Sequence, residues 1–140
     1  MSKIAVVYWS GTGNTEAMAG AVAAGARAAG AEAELIAASD FDAGRVANYD
    51  AIAFGCPAMG SEQLEEYEFE PMFDACKSAL RGKRIALFGS YGWGDGEWMR
   101  SWEAAARGCG AELACASVMC CEAPDEEGAA NCEALGRALA

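Results

Sequence analysis

Three short loops concentrate the glycines, hydroxyls and projecting side chains from which a ligand site could be built. The first is Ser10-Gly11-Thr12-Gly13-Asn14-Thr15, between a strand-like run and a helix-like run. A phosphate placed there would meet the free N–H groups and the positive dipole end of the helix. The glycines let the backbone curl close to an anion, while Ser10, Thr12 and Thr15 add hydroxyls and Asn14 an amide. The loop lacks Lys and Arg, the GK[ST] ending of a P-loop and the third glycine of a dinucleotide fingerprint. A terminal monophosphate therefore fits it better than a triphosphate or a bridging pyrophosphate. A glycine-rich turn with an ordinary Ser/Thr cap would have the same composition.

The second loop, Pro57-Ala58-Met59-Gly60-Ser61-Glu62, is small enough for a flat ring to approach its backbone. Met59 is soft and polarisable and can lie against an aromatic face, and Gly60 can reorient its peptide at little cost. The third loop is Ser90-Tyr91-Gly92-Trp93-Gly94-Asp95-Gly96. Glycine neighbours do not build a core, so Trp93 is expected to project as a plate for stacking. Trp98 and Trp102, four apart on the next helix, read as packing residues, whereas Trp9 and Tyr91 fit either role.

Other chemistries are excluded by what is missing. The chain has no histidine, so Ser-His and Cys-His nucleophile pairs and His-ligated metals fall away. Its cysteines, Cys56, Cys76, Cys109, Cys115, Cys120, Cys121 and Cys132, form no CxxC pair and match no common ferredoxin spacing. They read as free thiols of a reducing cytoplasm, with no metal site. A net charge of −11 argues against nucleic acid and anionic membranes and favours basic protein partners. No apolar run approaches a membrane span or a signal core, so a cytoplasmic chain is expected.

Strand-like and helix-like segments alternate along the chain and carry these loops between them. Strands are expected at Ile4–Trp9, Glu32–Ala37, Ala51–Gly55, Arg84–Gly89 and Leu113–Met119. Helices are expected at Asn14–Ala29, Glu70–Leu80, Glu97–Arg107 and Asp125–Leu139, with Gly30 as the first helix's stop and Gly108 and Gly110 breaking the third. Such alternation with buried strands gives an α/β fold: one doubly wound domain over residues 1–140, a parallel sheet with helices on both faces. Ligands in such folds bind beyond the carboxyl ends of the strands. The three loops follow Trp9, Gly55 and Gly89, at those ends.

Over nearly its whole length the chain resembles the flavodoxins, specifically the short-chain type of anaerobic bacteria. Tyr8 to Glu16 is similar to that family's phosphate loop, Ala58-Met59-Gly60 to its inner flavin loop, and Ala86 to Gly96 to its outer flavin loop. The resemblance implies a five-stranded sheet in the order 2-1-3-4-5 and bound flavin mononucleotide (FMN). It implies Trp93 on one ring face, Met59 on the other, and Glu62 accepting from the flavin N3–H. Cys121-Glu122 occupies a further cofactor loop, more amide-rich in the family, and Cys121 joins the expected cofactor contacts. Pro57 stands where the family often carries Ser, and Ser61 where it often carries Asp.

The implied function is a monomeric, low-potential one-electron carrier that catalyses no net reaction. In the family a peptide after the loop Met flips when the flavin is reduced, here in the Met59–Gly60 or Gly60–Ser61 region. The acidic run Glu62, Glu65, Glu66, Glu68 and Glu70 would oppose an anionic reduced flavin. One fixed charge about 8 Å away at an effective dielectric near 20 costs about 2 kcal/mol, or roughly 90 mV. A solvated, salt-screened face is the plainer reading of that run. A quinone or NAD(P)H reductase on the same fold is the alternative, but it needs one ring face left open for substrate. A receiver-type signalling domain needs acidic residues after strand one and an Asp after strand three, where this chain has Ser10 and Cys56-Pro57.

Overall fold

The computed structural model describes residues 2–60 and 63–140, so Ser61 and Glu62 lie outside the described residues. Strands β1 (Lys3–Tyr8), β2 (Glu32–Ala37), β3 (Ala51–Gly55) and β4 (Arg84–Tyr91) form a parallel sheet. Its order is β2-β1-β3-β4, closed on the far side by β5 (Glu112–Leu113) and β6 (Val118–Cys121), both parallel to β4. This is the expected 2-1-3-4-5 arrangement, with its fifth position filled by two short strands instead of one. Ile85 pairs with Leu113 and Phe88 with Val118. Residues 114–117 therefore face only Ala86 and Leu87, and that excess of chain breaks the ladder.

The side chains of the central strands alternate between two layers, as the pleat requires. Ala5, Val7, Ile52, Phe54, Ile85 and Leu87 face helices α2 (Phe69–Cys76) and α3 (Glu97–Gly108). Ile4, Val6, Ala51, Ala53, Ala86 and Phe88 face α1 (Asn14–Ala28) and α4 (Glu126–Leu139). The first layer is aromatic. Phe54 meets Phe73 edge-on with centroids 5.1 Å apart, and Trp102 meets Phe69 edge-on at 5.4 Å. Trp98 and Trp102 are both buried there, in the packing role expected of them.

The second layer is rich in alanine, and α1 and α4 come very close. A Cβ on Gly25 would run into the carbonyl of Glu133, and one on Gly136 into the carbonyl of Val22. One glycine on each of these facing helices thus sets the seat of α1, whose N-terminus follows the first loop. Asp125 caps α4, accepting from the Gly128 N–H at 2.7 Å. Helix α2 ends earlier than expected. The chain tightens into a 3₁₀ turn at Lys77–Ala79, with two more such turns at Ala38–Asp40 and Ala43–Asn48.

Candidate functional site

The sheet's hydrogen bonding continues past its strands and draws the loops together. Trp9 N donates to Gly55 O at 3.1 Å, Cys56 N to Phe88 O at 3.1 Å, Ala58 N to Ser90 O at 3.0 Å, and Glu122 N to Tyr91 O at 2.8 Å. Beyond this seam lies a cleft of about 490 Å³ at the carboxyl ends of β1, β3 and β4. Its walls come from Gly11, Thr12 and Asn14, from Pro57, Ala58 and Met59, and from Ser90, Tyr91 and Gly92. All three expected loops therefore meet at one cleft. No Lys or Arg is among its described lining residues.

The first loop is already partly bonded to itself. Ser10 Oγ accepts from Gly13 N at 3.0 Å and Glu16 N at 3.3 Å, so Ser10 closes the turn. Gly13 stands at the helix entry with φ 95°. Asn14 and Thr15 open α1, where backbone N–H groups have no partner within the helix. Thr15 is 1 % exposed, and its Oγ1 finds no hydrogen-bond partner among the described residues. A buried hydroxyl without a partner, at the end of a helix that attracts anions, is what a phosphate oxygen would complete. The residues present therefore fit a phosphate group.

The second loop is stapled into a narrow ring. Met59 N donates to Gln63 O at 2.7 Å and Gln63 N to Met59 O at 2.9 Å. Gly60 takes φ 54°, a region costly to other residues. The Met59 carbonyl is thus engaged inside the ring. Met59 is half-exposed on the cleft wall, and Gly60 borders a smaller hollow beside it with Gln63, Leu64 and Glu65.

Glu65 does not share the solvated face expected of the acidic run. It is buried, and its carboxylate accepts from Phe69 N at 2.8 Å, Glu68 N at 2.7 Å and Tyr67 N at 2.9 Å. Burial pushes its pKa up, but the three N–H donors outweigh burial and hold it below the usual glutamate value. Glu66, Glu68 and Glu70 are exposed.

In the third loop, Ser90 Oγ donates to Glu122 O at 2.9 Å and ties β4 to the turn after β6. Trp93 is 66 % exposed and Gly94 is also exposed, beside the Tyr91–Gly92 wall and outside the cleft lining. Asp95 pairs with Arg100 at 3.1 Å, which offsets one of the acids expected near this loop. Cys121 is exposed and lies at a separate hollow with Cys120 and Asp125. Glu122 and Ala123, the next residues, line the main cleft instead.

Three lining residues were not among the expected contacts: Trp9, Glu122 and Ala123. Trp9 could have been assigned, since it directly precedes the glycine loop at a strand's carboxyl end. Glu122 takes φ 60°, the single positive φ among described non-glycine residues, and this turn brings residues 122 and 123 to the cleft. Its sequence carries no glycine to announce the turn.

Comparison with known proteins agrees with this geometry. The family model described as Flavodoxin matches residues 6–136. The flavodoxin of Megasphaera elsdenii is 47% identical over 137 residues, 98% of each chain. That of Clostridium beijerinckii is 43% identical over 135 residues, 96% of this chain and 97% of its own. The solution structure of the two-electron reduced Megasphaera elsdenii flavodoxin superposes with a TM-score of 0.91 at 46% identity, covering 97% of both chains.

Proposed function

This chain belongs to the flavodoxin family, FMN-binding electron carriers that catalyse no net reaction, and we propose that the carboxyl-end cleft is where it holds FMN. The observation that carries this assignment is the unpartnered Thr15 hydroxyl at the mouth of α1, beside a cleft shared by all three loops. Thr12, Asn14 and Thr15 hold the phosphate through side-chain donors and the first N–H groups of the helix. Charge on the phosphate is met by dipoles alone, which suits a single phosphate group. Met59 and Trp93 flank the ring, with Tyr91 and Gly92 as the wall between them. Ser10 and Gly13 shape the first loop around the phosphate. Bound FMN supplies the ability to take up and release electrons singly.

Several finer properties belong to the same proposal. The protein works as a cytoplasmic monomer and docks on reductases and low-potential oxidoreductases with basic surfaces. Its net charge of −11 supports that partner class. Among the described residues no helix is long and apolar enough to cross a membrane. Reductive titration of the purified protein, followed by absorbance, tests the assignment. Two separable one-electron steps with one FMN per chain support it. A single two-electron step, with NAD(P)H oxidised without added reductase, would favour the reductase alternative.

A further inference from the structure

Glu65 is fastened on both sides of the second loop's return. Its carboxylate gathers three backbone N–H groups at the entry to α2, its carbonyl accepts from Glu70 N at 2.8 Å, and its own N–H donates to Cys56 Sγ at 3.3 Å. Satisfying the first free N–H of α2 accounts for the donor of Phe69. It does not account for Tyr67 N and Glu68 N, which lie ahead of the helix, or for the bond to Cys56 at the carboxyl end of β3.

Cys56 is itself immobile. It is buried, its N–H donates to Phe88 O, and its carbonyl accepts from Trp98 Nε1 at 3.3 Å. Two residues upstream of Glu65, Gln63 is bonded to Met59 through both of its backbone groups. The loop at the cleft wall therefore has two feet. One is Ala58, tied to Ser90; the other is Glu65, tied to β3 and α2.

We propose that Glu65 is a positioning residue for the flavin: its carboxylate fixes the far foot of the Met59–Gln63 ring and so sets where Met59 and Gly60 meet the cofactor. This rests on the reading that Met59 and Gly60 border FMN. A shift of Glu65 moves Gln63, and Gln63 moves Met59 through their paired bonds. A neutral amide in its place turns one acceptor edge into a donor facing backbone N–H groups, and the foot must reorganise.

The test compares wild type with Glu65→Gln by FMN titration, by the two one-electron potentials, and by unfolding of the apoprotein. The expected result is retained FMN binding with the ratio of the two one-electron equilibrium constants changed about tenfold, or about 59 mV in the gap between couples, beyond any change in Glu66→Gln, which removes a neighbouring exposed carboxylate and leaves the anchor intact. A cap that only stabilises α2 would lower apoprotein stability and leave that gap unchanged, and this result overturns the proposal. If the variant does not fold, Glu65→Asp, which keeps the charge and shortens the arm, is measured in the same way: a changed gap between couples supports the proposal, and an unchanged gap overturns it. Failure of the wild type to take up FMN defeats the functional reading and this inference with it. An unchanged gap in a flavin-binding variant defeats the inference alone.

Discussion

Replacing Thr15 by Val should move two measurable quantities in opposite directions. The Thr15 hydroxyl is buried and has no hydrogen-bond partner among the described residues. Leaving a buried polar group unsatisfied costs about 1–3 kcal/mol. Val has nearly the same shape and no hydroxyl, so Thr15→Val should stabilise the apoprotein by about 1 kcal/mol, the low end of that range. For a chain of this size that raises the unfolding midpoint by roughly 3–5 °C. With FMN bound, the lost bond is one to a charged phosphate, worth about 1.5–3 kcal/mol. FMN affinity should then fall by roughly 10- to 150-fold, at about 1.4 kcal/mol per tenfold. Riboflavin, which has no phosphate, should bind the variant as it binds the wild type. Thermal unfolding of the apoprotein and fluorescence titration with both ligands give all three values. An apoprotein destabilised by the change would mean that the hydroxyl has a partner of its own. Equal losses for FMN and riboflavin would remove the phosphate from this end of the cleft.

Trp93→Ala should leave apoprotein stability nearly untouched, because the indole is already 66 % exposed. It should still weaken FMN by at least the ~0.5–1.5 kcal/mol of a stacked pair and raise bound-flavin fluorescence; unchanged titrations would place the ring elsewhere. Gly136→Ala drives a methyl into the Val22 carbonyl and should cost about 1–3 kcal/mol in urea unfolding; a neutral result would mean that α1 and α4 can part freely. Glu65 has a folded pKa below its ordinary value of 4.5, so its contribution is whole above that value and is lost as pH falls through the depressed folded pKa. The stability gap between wild type and Glu65→Gln, measured by denaturant unfolding, should therefore be wide at pH 7 and narrow towards pH 3. A gap that widens in acid would contradict the sign of the shift.

The central sheet was legible because residues 4–8, 51–55 and 85–88 are apolar runs between turn residues and Glu32–Ala37 alternates. Glu32–Ala37 and Ala51–Gly55 keep their expected bounds to the residue. The fifth strand was not legible in the same way. Ala114-Cys115-Ala116-Ser117 reads as plausible strand, and its break depends on register with Ala86 and Leu87, which no local pattern records. Helix α2 was drawn too long for a related reason. Phe73, Cys76 and Leu80 keep helical spacing whether the last turn is α or 3₁₀. At the site, loops marked by glycine and hydroxyl residues were found; in the Cys121-Glu122 loop the expected contact was Cys121, but a turn made without glycine brings Glu122 and Ala123 to the cleft instead. Glu65 was read by its neighbours' charge, although its role comes from backbone N–H groups that fold around it.

The interrupted fifth strand also bears on how molecules meet one another. An open sheet offers its outer strands as templates for a second chain, and proteins guard them with breaks, charges or short lengths. Here one margin is split into pieces of two and four residues, with residues 114–117 out of register between them. A neighbour pairing along it would find no continuous row of donors and acceptors. The opposite margin, β2, carries Glu32 and Glu34, so two copies aligned there would bring carboxylates together. Both margins thus discourage edge-to-edge growth of the sheet from one molecule into the next.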